Sequence, residues 1–182
     1  MNGDDAKARF ASVVTPHLAD AYALARWLTG DRADAEDVVQ DACLRAFRAI
    51  NTFSGGSARA WVLTIVRNTA FSWLAKHRRP ALVAVDDLEA VERAQAQPGR
   101  TTAEGSRATP ETELIAKADA ARLEAAIAAL PSPFRETLVL RDVQGLDYRE
   151  IAQVTEVPMG TVMSRLARAR QRLIDAIGTD EP

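Results

Sequence analysis

Four arginines near the C-terminus could form a surface that binds a polyanion. Arg165, Arg168, Arg170 and Arg172 lie close together, and no acidic residue interrupts them. Guanidinium groups bind phosphate oxygens, and they pair bidentately with the O6 and N7 edge of guanine. We therefore expect this segment to contact nucleic acid, although a solvated charged face is the simpler explanation for the arginines alone.

The same segment has the apolar periodicity of an amphipathic helix. Its apolar residues recur at intervals of four, three and four, which places them on one face: Val162, Leu166, Ala169 and Leu173. The hydroxyl and guanidinium groups predicted for the opposite face are those of Thr161, Ser164, Arg165, Arg168 and Arg172. An apolar rear and a basic front are typical of a helix that enters the DNA major groove.

A second short helix is expected immediately before this one. Tyr148, Ile151 and Ala152 provide its apolar face, and the small Ala152 allows two helices to approach closely. Pro158 lacks an N–H and cannot continue the preceding helix, so a sharp break is predicted at residues 155–157. Two helices with this break indicate a helix-turn-helix.

A further basic stretch lies in the first half of the chain. Five basic residues and no acidic residue occur between Arg59 and Arg79, in a protein whose net charge is −2. Two separated basic stretches in a mildly acidic chain suggest two contacts with one long polyanion.

The composition predicts an all-α fold. Of the 182 residues 47% are apolar, alanine is abundant, and β-branched or aromatic runs of alternating pattern are scarce. The single cysteine, Cys43, excludes an intramolecular disulfide and gives no support to a zinc site. His17 and His77 are isolated, and no nucleophile–base pair or glycine-rich phosphate loop is evident, so we expect neither an enzyme nor a cofactor. Without a signal peptide or a long apolar run, the protein is expected in the cytoplasm.

Start and stop signals divide the first 80 residues into four helices. The first covers residues 5–14; Thr15 then caps a second helix with Pro16 at its first position, and this helix ends at Gly30. Asp31 caps the third helix, and a loop over 51–57 precedes a fourth over 58–77. The expected core residues are Val38, Ala42, Cys43, Phe47 and Ile50 in the third helix and Trp61, Ile65, Ala70, Trp73 and Leu74 in the fourth.

Residues 81–112 have the composition of a flexible linker, with a short helix over 87–96 as an alternative for its first half. Helical periodicity returns from Glu113, where Leu123, Ile127 and Leu130 mark an apolar face. Another helix is expected over 138–143, and Gly145 precedes the helix-turn-helix.

Together these segments resemble the extracytoplasmic-function (group IV) sigma factors of bacterial RNA polymerase. The residues that carry the resemblance are, in order, Asp34-Ala-Glu-Asp-Val-Val-Gln-Asp-Ala-Cys-Leu-Arg-Ala-Phe-Arg48, Phe53-Ser-Gly-Gly, Ala60-Trp-Val-Leu-Thr-Ile-Val-Arg-Asn68, Leu130-Pro, Arg135, Leu140-Arg, Gly145-Leu, Tyr148, Glu150-Ile-Ala and Pro158-Met-Gly-Thr-Val-Met-Ser-Arg165. Each motif alone is weak, whereas the ordered set is specific. The chain departs from the family at Met163, where many members have Arg or Lys, and at Glu156, where many helix-turn-helix proteins have Gly.

The resemblance implies a transcription initiation factor with two small helical domains. Residues 1–80 would bind core RNA polymerase and melt the −10 element, 81–112 would be the linker, and 113–182 would read the −35 element. Its implied partners are core polymerase, promoter DNA and an anti-sigma factor, with no membrane insertion and no small-molecule substrate.

The resemblance also implies site residues. The polymerase-binding residues are Asp34, Asp37, Gln40 and Asp41; the −10 residues are Phe53, Trp61, Arg67, Asn68, Lys76, Arg78 and Arg79; and the −35 residues are Arg149, Thr161, Met163, Ser164, Arg165, Arg168 and Arg172.

Simpler explanations exist for some of them: acids in a first helical turn suit the helix dipole, and Phe53 and Trp61 suit a core. The alternative functions are a stand-alone helix-turn-helix regulator, whose residues 31–79 would sense a signal or dimerise, and a polymerase adaptor that does not read promoters.

Overall fold

The computed structural model describes residues 3–77 and 110–178, and helices form almost all of these two ranges. The α-helices are α1 Gly3–Val13, α2 Leu18–Thr29, α3 Arg32–Ala49, α4 Ala58–His77, α5 Pro110–Ala129, α6 Ser132–Leu138, α7 Tyr148–Thr155 and α8 Met159–Gly178. No strand occurs in the described ranges, and the predicted all-α fold is confirmed. None of the helices in these ranges has the length and apolarity needed to cross a membrane.

The first helical region packs α2, α3 and α4 around an aliphatic core. Leu24, Leu28, Val38 and Leu63 lie at its centre and are almost completely buried. Two predicted punctuation signals are confirmed. Gly30 ends α2 in the left-handed conformation, with φ of 75°. The Asp31 side chain caps the start of α3 by accepting hydrogen bonds from the backbone amides of Ala33 and Asp34, at 2.8 and 3.1 Å.

Two details of the first region differ from the prediction. Thr15 does not cap α2; it begins a 3₁₀ turn, Thr15–His17, and makes no capping hydrogen bond, so α2 starts only at Leu18. Phe47 is not a core residue, because it is 41% exposed, although its ring makes an edge-to-face contact with Phe10. Each helical residue turns by about 100°. The buried stripe of α3 therefore continues at Ala46, and Phe47 is rotated away from it.

The core of α4 also differs in part from the prediction. Ala70 and Leu74 are buried as expected, whereas Trp61, Ile65 and Trp73 are only half-buried. The buried residues at the middle of the helix are smaller aliphatic ones, including Val62 and Val66. The aromatic rings lie at the margins of the core, where one edge of a large side chain can remain in contact with solvent. Cys43 is likewise half-buried, and burial raises the pKa of its thiol.

The second helical region contains α5 to α8 and a π-helical turn, Val139–Val143. Leu130 and Ile127 at the end of α5 are buried as predicted, but Leu123 is exposed. α6 begins at Ser132, earlier than the helix predicted over 138–143. The prolines at 131 and 133 made the sequence of this segment resemble a helix break, so the start of α6 was not predicted. Pro133 lies in the first turn, where the missing N–H has no intrahelical partner and does no harm.

The predicted helix-turn-helix is present as α7 and α8. Asp147 accepts from the amide of Glu150 at 2.8 Å, and the Glu150 side chain accepts from the amide of Asp147 at 3.1 Å, so α7 starts with a reciprocal capping box. Glu156 ends α7 with φ of 56°, a left-handed conformation that usually belongs to glycine. Ile151 of α7 and Val162 of α8 are both completely buried, and the two helices pack against each other.

The linker interpretation falls mostly on residues outside the described ranges. Arg78, Arg79 and the alternative helix over 87–96 lie among them. α5 begins at Pro110, slightly before the point where the apolar periodicity returns.

Candidate nucleic-acid interface

The front of α8 presents polar and basic side chains to solvent. Ser164, Arg168 and Met163 are exposed, and Thr161 is half-buried. The hydroxyl of Ser164 donates to the Thr161 carbonyl at 3.0 Å. The rear of the same helix is buried at the predicted positions 162, 166 and 169, which fixes the direction of the front. This geometry suits insertion into a DNA groove.

Arg165 does not lie on the solvent front as predicted, and that part of the prediction is wrong, whereas Arg172 is half-buried. The side chain of Arg165 is only 12% exposed, and its Nη1 lies 3.5 Å from Oε1 of Glu136. The guanidinium of Arg172 lies over the Phe134 ring, 5.1 Å from its centroid. Because each residue turns by about 100°, Arg165 is only about 60° from Val162 and therefore flanks the buried stripe.

Two other arginines of this region have different environments. Arg149 is exposed on α7, on the helix that precedes the turn. Arg170 donates two hydrogen bonds to the Asp142 carboxylate, at 2.7 and 3.1 Å, and this interaction raises the pKa of Arg170. Arg149, Arg168 and Arg170 are all exposed, and Arg170 is oriented toward the π-helical turn by its ion pair.

The segment predicted for the −10 element lies along α4 and the loop before it. The rings of Phe53 and Trp61 pack together with centroids 5.3 Å apart, and both are half-buried. Asn68 is exposed, accepting from Nη1 of Arg67 at 3.2 Å and donating to Glu156 at 3.4 Å. Lys76 is exposed in the last turn of α4. The structure thus gives α4 an exposed amide between two cationic positions.

A buried carboxylate links the two helical regions, and the sequence analysis missed it. Glu136 is 1% exposed, and Arg67 donates to its two oxygens at 2.8 and 3.3 Å. Burial raises the pKa of Glu136, and the hydrogen bond and charge of Arg67 partly oppose that rise. Burial lowers the pKa of Arg165, while the charge of Glu136 opposes the change. We call Arg67, Glu136 and Arg165 the Glu136 cluster. The one sequence signal for it is that Glu136 is the only acidic residue between Glu124 and Asp142.

The acidic front of α3 has the exposure that a docking surface needs. Asp37, Gln40 and Asp41 are exposed, and Asp34 is half-buried near the N-terminus of the helix. Asp41 pairs with Arg45 one turn later, at 2.9 Å. Positions 34, 37 and 41 share one helical face, so three carboxylates point in a similar direction. Within the described residues, no group of His, Cys, Asp and Glu side chains could hold a metal ion.

Comparisons with known proteins identify both helical regions. The family model Sigma-70 region 2 matches residues 13–80, and the model Sigma-70, region 4 matches residues 120–173. The ECF RNA polymerase sigma-E factor of Escherichia coli K12 is 37% identical over 142 residues, which cover 77% of this chain and 72% of that protein. The ECF RNA polymerase sigma factor SigE of Mycolicibacterium smegmatis is 33% identical over 164 residues, covering 90% of this chain and 59% of that protein.

Solved structures share the fold. The sigma factor RpoE of Bartonella quintana, in complex with the anti-sigma factor NepR, gives a TM-score of 0.70 at 24% identity and covers 94% of this chain and 98% of that one. CnrH in complex with the cytosolic domain of CnrY gives 0.62 at 24% identity, covering 94% and 89%. The sequence identity to the curated relatives and the presence of region 2 followed by region 4 show the family of the chain. The chain belongs to the extracytoplasmic-function sigma factors of the sigma-70 family, which are promoter-specific transcription initiation factors.

Proposed function

We propose that this chain binds core RNA polymerase and directs it to promoters by reading a −35 element and melting a −10 element. The observation that carries the proposal is the presence of regions 2 and 4 in order on one chain. A stand-alone regulator needs only the second. In this proposal residues 1–80 form the polymerase-binding and −10 domain, 81–112 the linker and 113–182 the −35 domain. The protein has no catalytic activity of its own and acts in the cytoplasm.

The polymerase contact is assigned to the front of α3. Asp34, Asp37, Gln40 and Asp41 offer carboxylate and amide groups that match a basic partner surface. The exposure of Asp37, Gln40 and Asp41 supports the assignment. The helix dipole accounts for Asp34 in the first turn, but it does not account for Gln40 and Asp41 farther along the helix.

The −10 contact is assigned to α4 and its preceding loop. Asn68 is proposed to read a flipped base through the donor and acceptor of its amide, and Phe53 and Trp61 would provide an apolar wall that accepts the flipped ring. Arg67, Lys76, Arg78 and Arg79 would hold the backbone of the displaced strand. The exposure of Asn68 and Lys76 supports this assignment.

The −35 contact is assigned to α8, with Arg149 of α7 beside it. Exposed Ser164 and Arg168 would reach the groove first, and Thr161 and Met163 would line the same approach. Arg165 and Arg172 complete the assigned set, Arg165 as a base contact and Arg172 as a phosphate contact.

A protein inhibitor is the remaining proposed partner. The related structures of RpoE and CnrH were solved in complex with NepR and CnrY, respectively. We extend this only as a class: an anti-sigma protein would bind this chain and keep it from polymerase.

In vitro transcription tests the proposal. Core RNA polymerase and the purified chain are supplied with a library in which two promoter blocks are randomised, and the transcribed templates are sequenced. The proposal predicts enrichment of two separated sequence blocks, and only when the chain is present. Sequence-specific binding of the chain alone to a symmetric operator, without polymerase-dependent transcripts, would favour the stand-alone regulator instead.

A further inference from the structure

Two methionines lie on the exposed surface of α8 near its start. Met159 is 43% exposed and Met163 is 46% exposed, and neither packs against the apolar core of the described residues. They are four residues apart and are therefore neighbours on one side of the helix. Single exposed apolar side chains are common on protein surfaces. These two, however, lie on the helix that the proposed function places in the DNA major groove.

The buried rear of α8 determines the direction of Met163. Val162, Leu166 and Ala169 form that rear. At about 100° per residue, Met163 lies about 90° from the middle of this buried stripe. Arg165 is about 200° from Met163 by the same count and lies on the opposite flank. Met163 therefore stands apart from the Glu136 cluster and belongs to the open side of the helix.

The surroundings of Met163 allow another molecule to approach closely. Ala167, one turn later, is small and exposed. Gly160, almost one turn earlier, has no side chain, and no atom lies within 4 Å of the place that a Cβ would take. Arg168 is exposed beside them, and no acidic residue occurs over 159–174. This part of α8 thus combines an apolar side chain with a basic margin.

The chemistry of a thioether limits what Met163 can recognise. It has no hydrogen-bond donor, and its sulfur is only a weak acceptor. It cannot pair with phosphate oxygens or with the O6 and N7 atoms of guanine, as an arginine does. Thymine carries in the major groove a C5-methyl group that the other three bases lack. A flexible, unbranched side chain such as methionine adapts well to an apolar group of this kind.

We propose that Met163 recognises thymine: its side chain covers the C5-methyl group of one thymine in the −35 element and thereby sets a base preference at that position. An arginine or lysine at this position would bind phosphate or guanine instead. The inference rests on the proposed function, which places the front of α8 in the major groove. It adds the base that Met163 recognises and the group through which it does so.

Replacing thymine by deoxyuridine removes only this methyl group and tests the contact. The probe is a promoter duplex recovered from the randomised library, and each thymine of its −35 block, on either strand, is replaced in turn. Affinity is measured by competition with the unmodified duplex. Polymerase carrying the intact chain should bind about fourfold more weakly at one position, as expected for the loss of one buried methyl group. Polymerase carrying Met163→Ala should lose much less at the same position, because the methyl group then has no partner to lose.

Two further variants of α8 are matched controls. Met163→Leu keeps an apolar side chain of similar volume and should retain most of the discrimination. Ile174→Ala removes another exposed apolar side chain from the same side of the helix, about three turns or about 16 Å farther along, and should leave the fourfold effect unchanged. Alanine is the best helix former, so neither alanine variant should reduce the helix content that circular dichroism measures.

The possible outcomes separate this inference from the proposed function. The absence of any methyl effect, or an equal effect with the intact chain and Met163→Ala at every thymine, would overturn the inference even if promoter-specific transcription succeeds. If the chain alone selects a duplex but gives no polymerase-dependent transcripts, the proposed function is wrong, and the same deoxyuridine series on that duplex decides the inference. If neither selection recovers a duplex, both are wrong.

Discussion

Reversing two charges on α3 should abolish polymerase binding while the fold stays intact. Asp37 and Asp41 are exposed on the acidic front of this helix. Replacing both by lysine turns a surface proposed to meet a basic partner into one that repels it. The value of the experiment depends on how little these two residues contribute to the fold.

The structure indicates that Asp37 and Asp41 contribute little to the stability of the fold. Asp41 pairs with Arg45 at 2.9 Å, but both side chains are about half exposed, so the pair is worth about 0.3–0.5 kcal/mol. Lysine is a somewhat better helix former than aspartate, which offsets part of this loss. The free energy of unfolding should therefore change by less than about 1 kcal/mol. Like charges brought together at an interface cost several kcal/mol, and each 1.4 kcal/mol is about tenfold in affinity. Binding to core polymerase should fall by at least about a hundredfold.

Fluorescence anisotropy of the labelled chain titrated with core polymerase measures this affinity. The control changes Asp4 and Asp5 on α1 to lysine, which gives the same change in net charge at another exposed site. Circular dichroism should show equal helix content in the three proteins. Unaltered affinity of the Asp37→Lys/Asp41→Lys variant, or an equal loss in the α1 control, would refute the assignment of the α3 face.

Further predictions concern DNA reading, helix capping and pH. Arg165→Ala should reduce the preference at one base pair of the −35 element by about 1–3 kcal/mol in a promoter selection. Arg172→Ala should weaken binding to all promoter sequences alike and reduce the slope of log affinity against log salt concentration by about one. A uniform loss of binding for Arg165→Ala would contradict these roles. Asp147→Ala should destabilise the second region by about 1 kcal/mol in a thermal melt, and Asp147→Asn should lose less. The hydrogen bond from the backbone amide of Asp34 lowers the pKa of Asp31; other amides add to this effect, and desolvation opposes it. The ionised Asp31 cap therefore stabilises the fold fully above its unfolded pKa of about 3.9. This stabilisation is lost as the pH falls through the lower folded pKa. The difference in melting temperature between wild type and Asp31→Ala should be constant above about pH 5 and close in more acidic buffer.

Local signals predicted much of the fold. Gly30 and Asp31 mark a helix end and a helix start by backbone conformation and side-chain capping, which depend on neighbouring residues only. The periodicity of Val162, Leu166 and Ala169 likewise identified the buried face of α8, since one helix face packs on its partner. Prolines misled the prediction at α6, because a proline in the first turn of a helix resembles one that prevents a helix.

Contacts between distant residues could not be predicted. Glu136 lies 69 positions from Arg67 and 29 from Arg165, and no periodicity within either segment indicates that they meet. The same holds for Asn68 and Glu156, which are 88 positions apart. The expected solvent-facing position of Arg165 failed for this reason, since its environment is set by a side chain from another helix.

Promoter opening tests the central claim most directly. Core polymerase and the intact chain are incubated with a promoter recovered from the selection, and unpaired thymines near −10 are detected with permanganate. The account predicts reactive thymines with the intact chain. With Asn68→Ala it predicts far fewer on duplex DNA, and recovery on a template whose −10 region is already unpaired, because the unstacking cost of a few kcal/mol is then absent. Full opening of duplex DNA by Asn68→Ala would contradict the proposed base pocket, and no opening by the intact chain with core polymerase would contradict promoter melting by this protein.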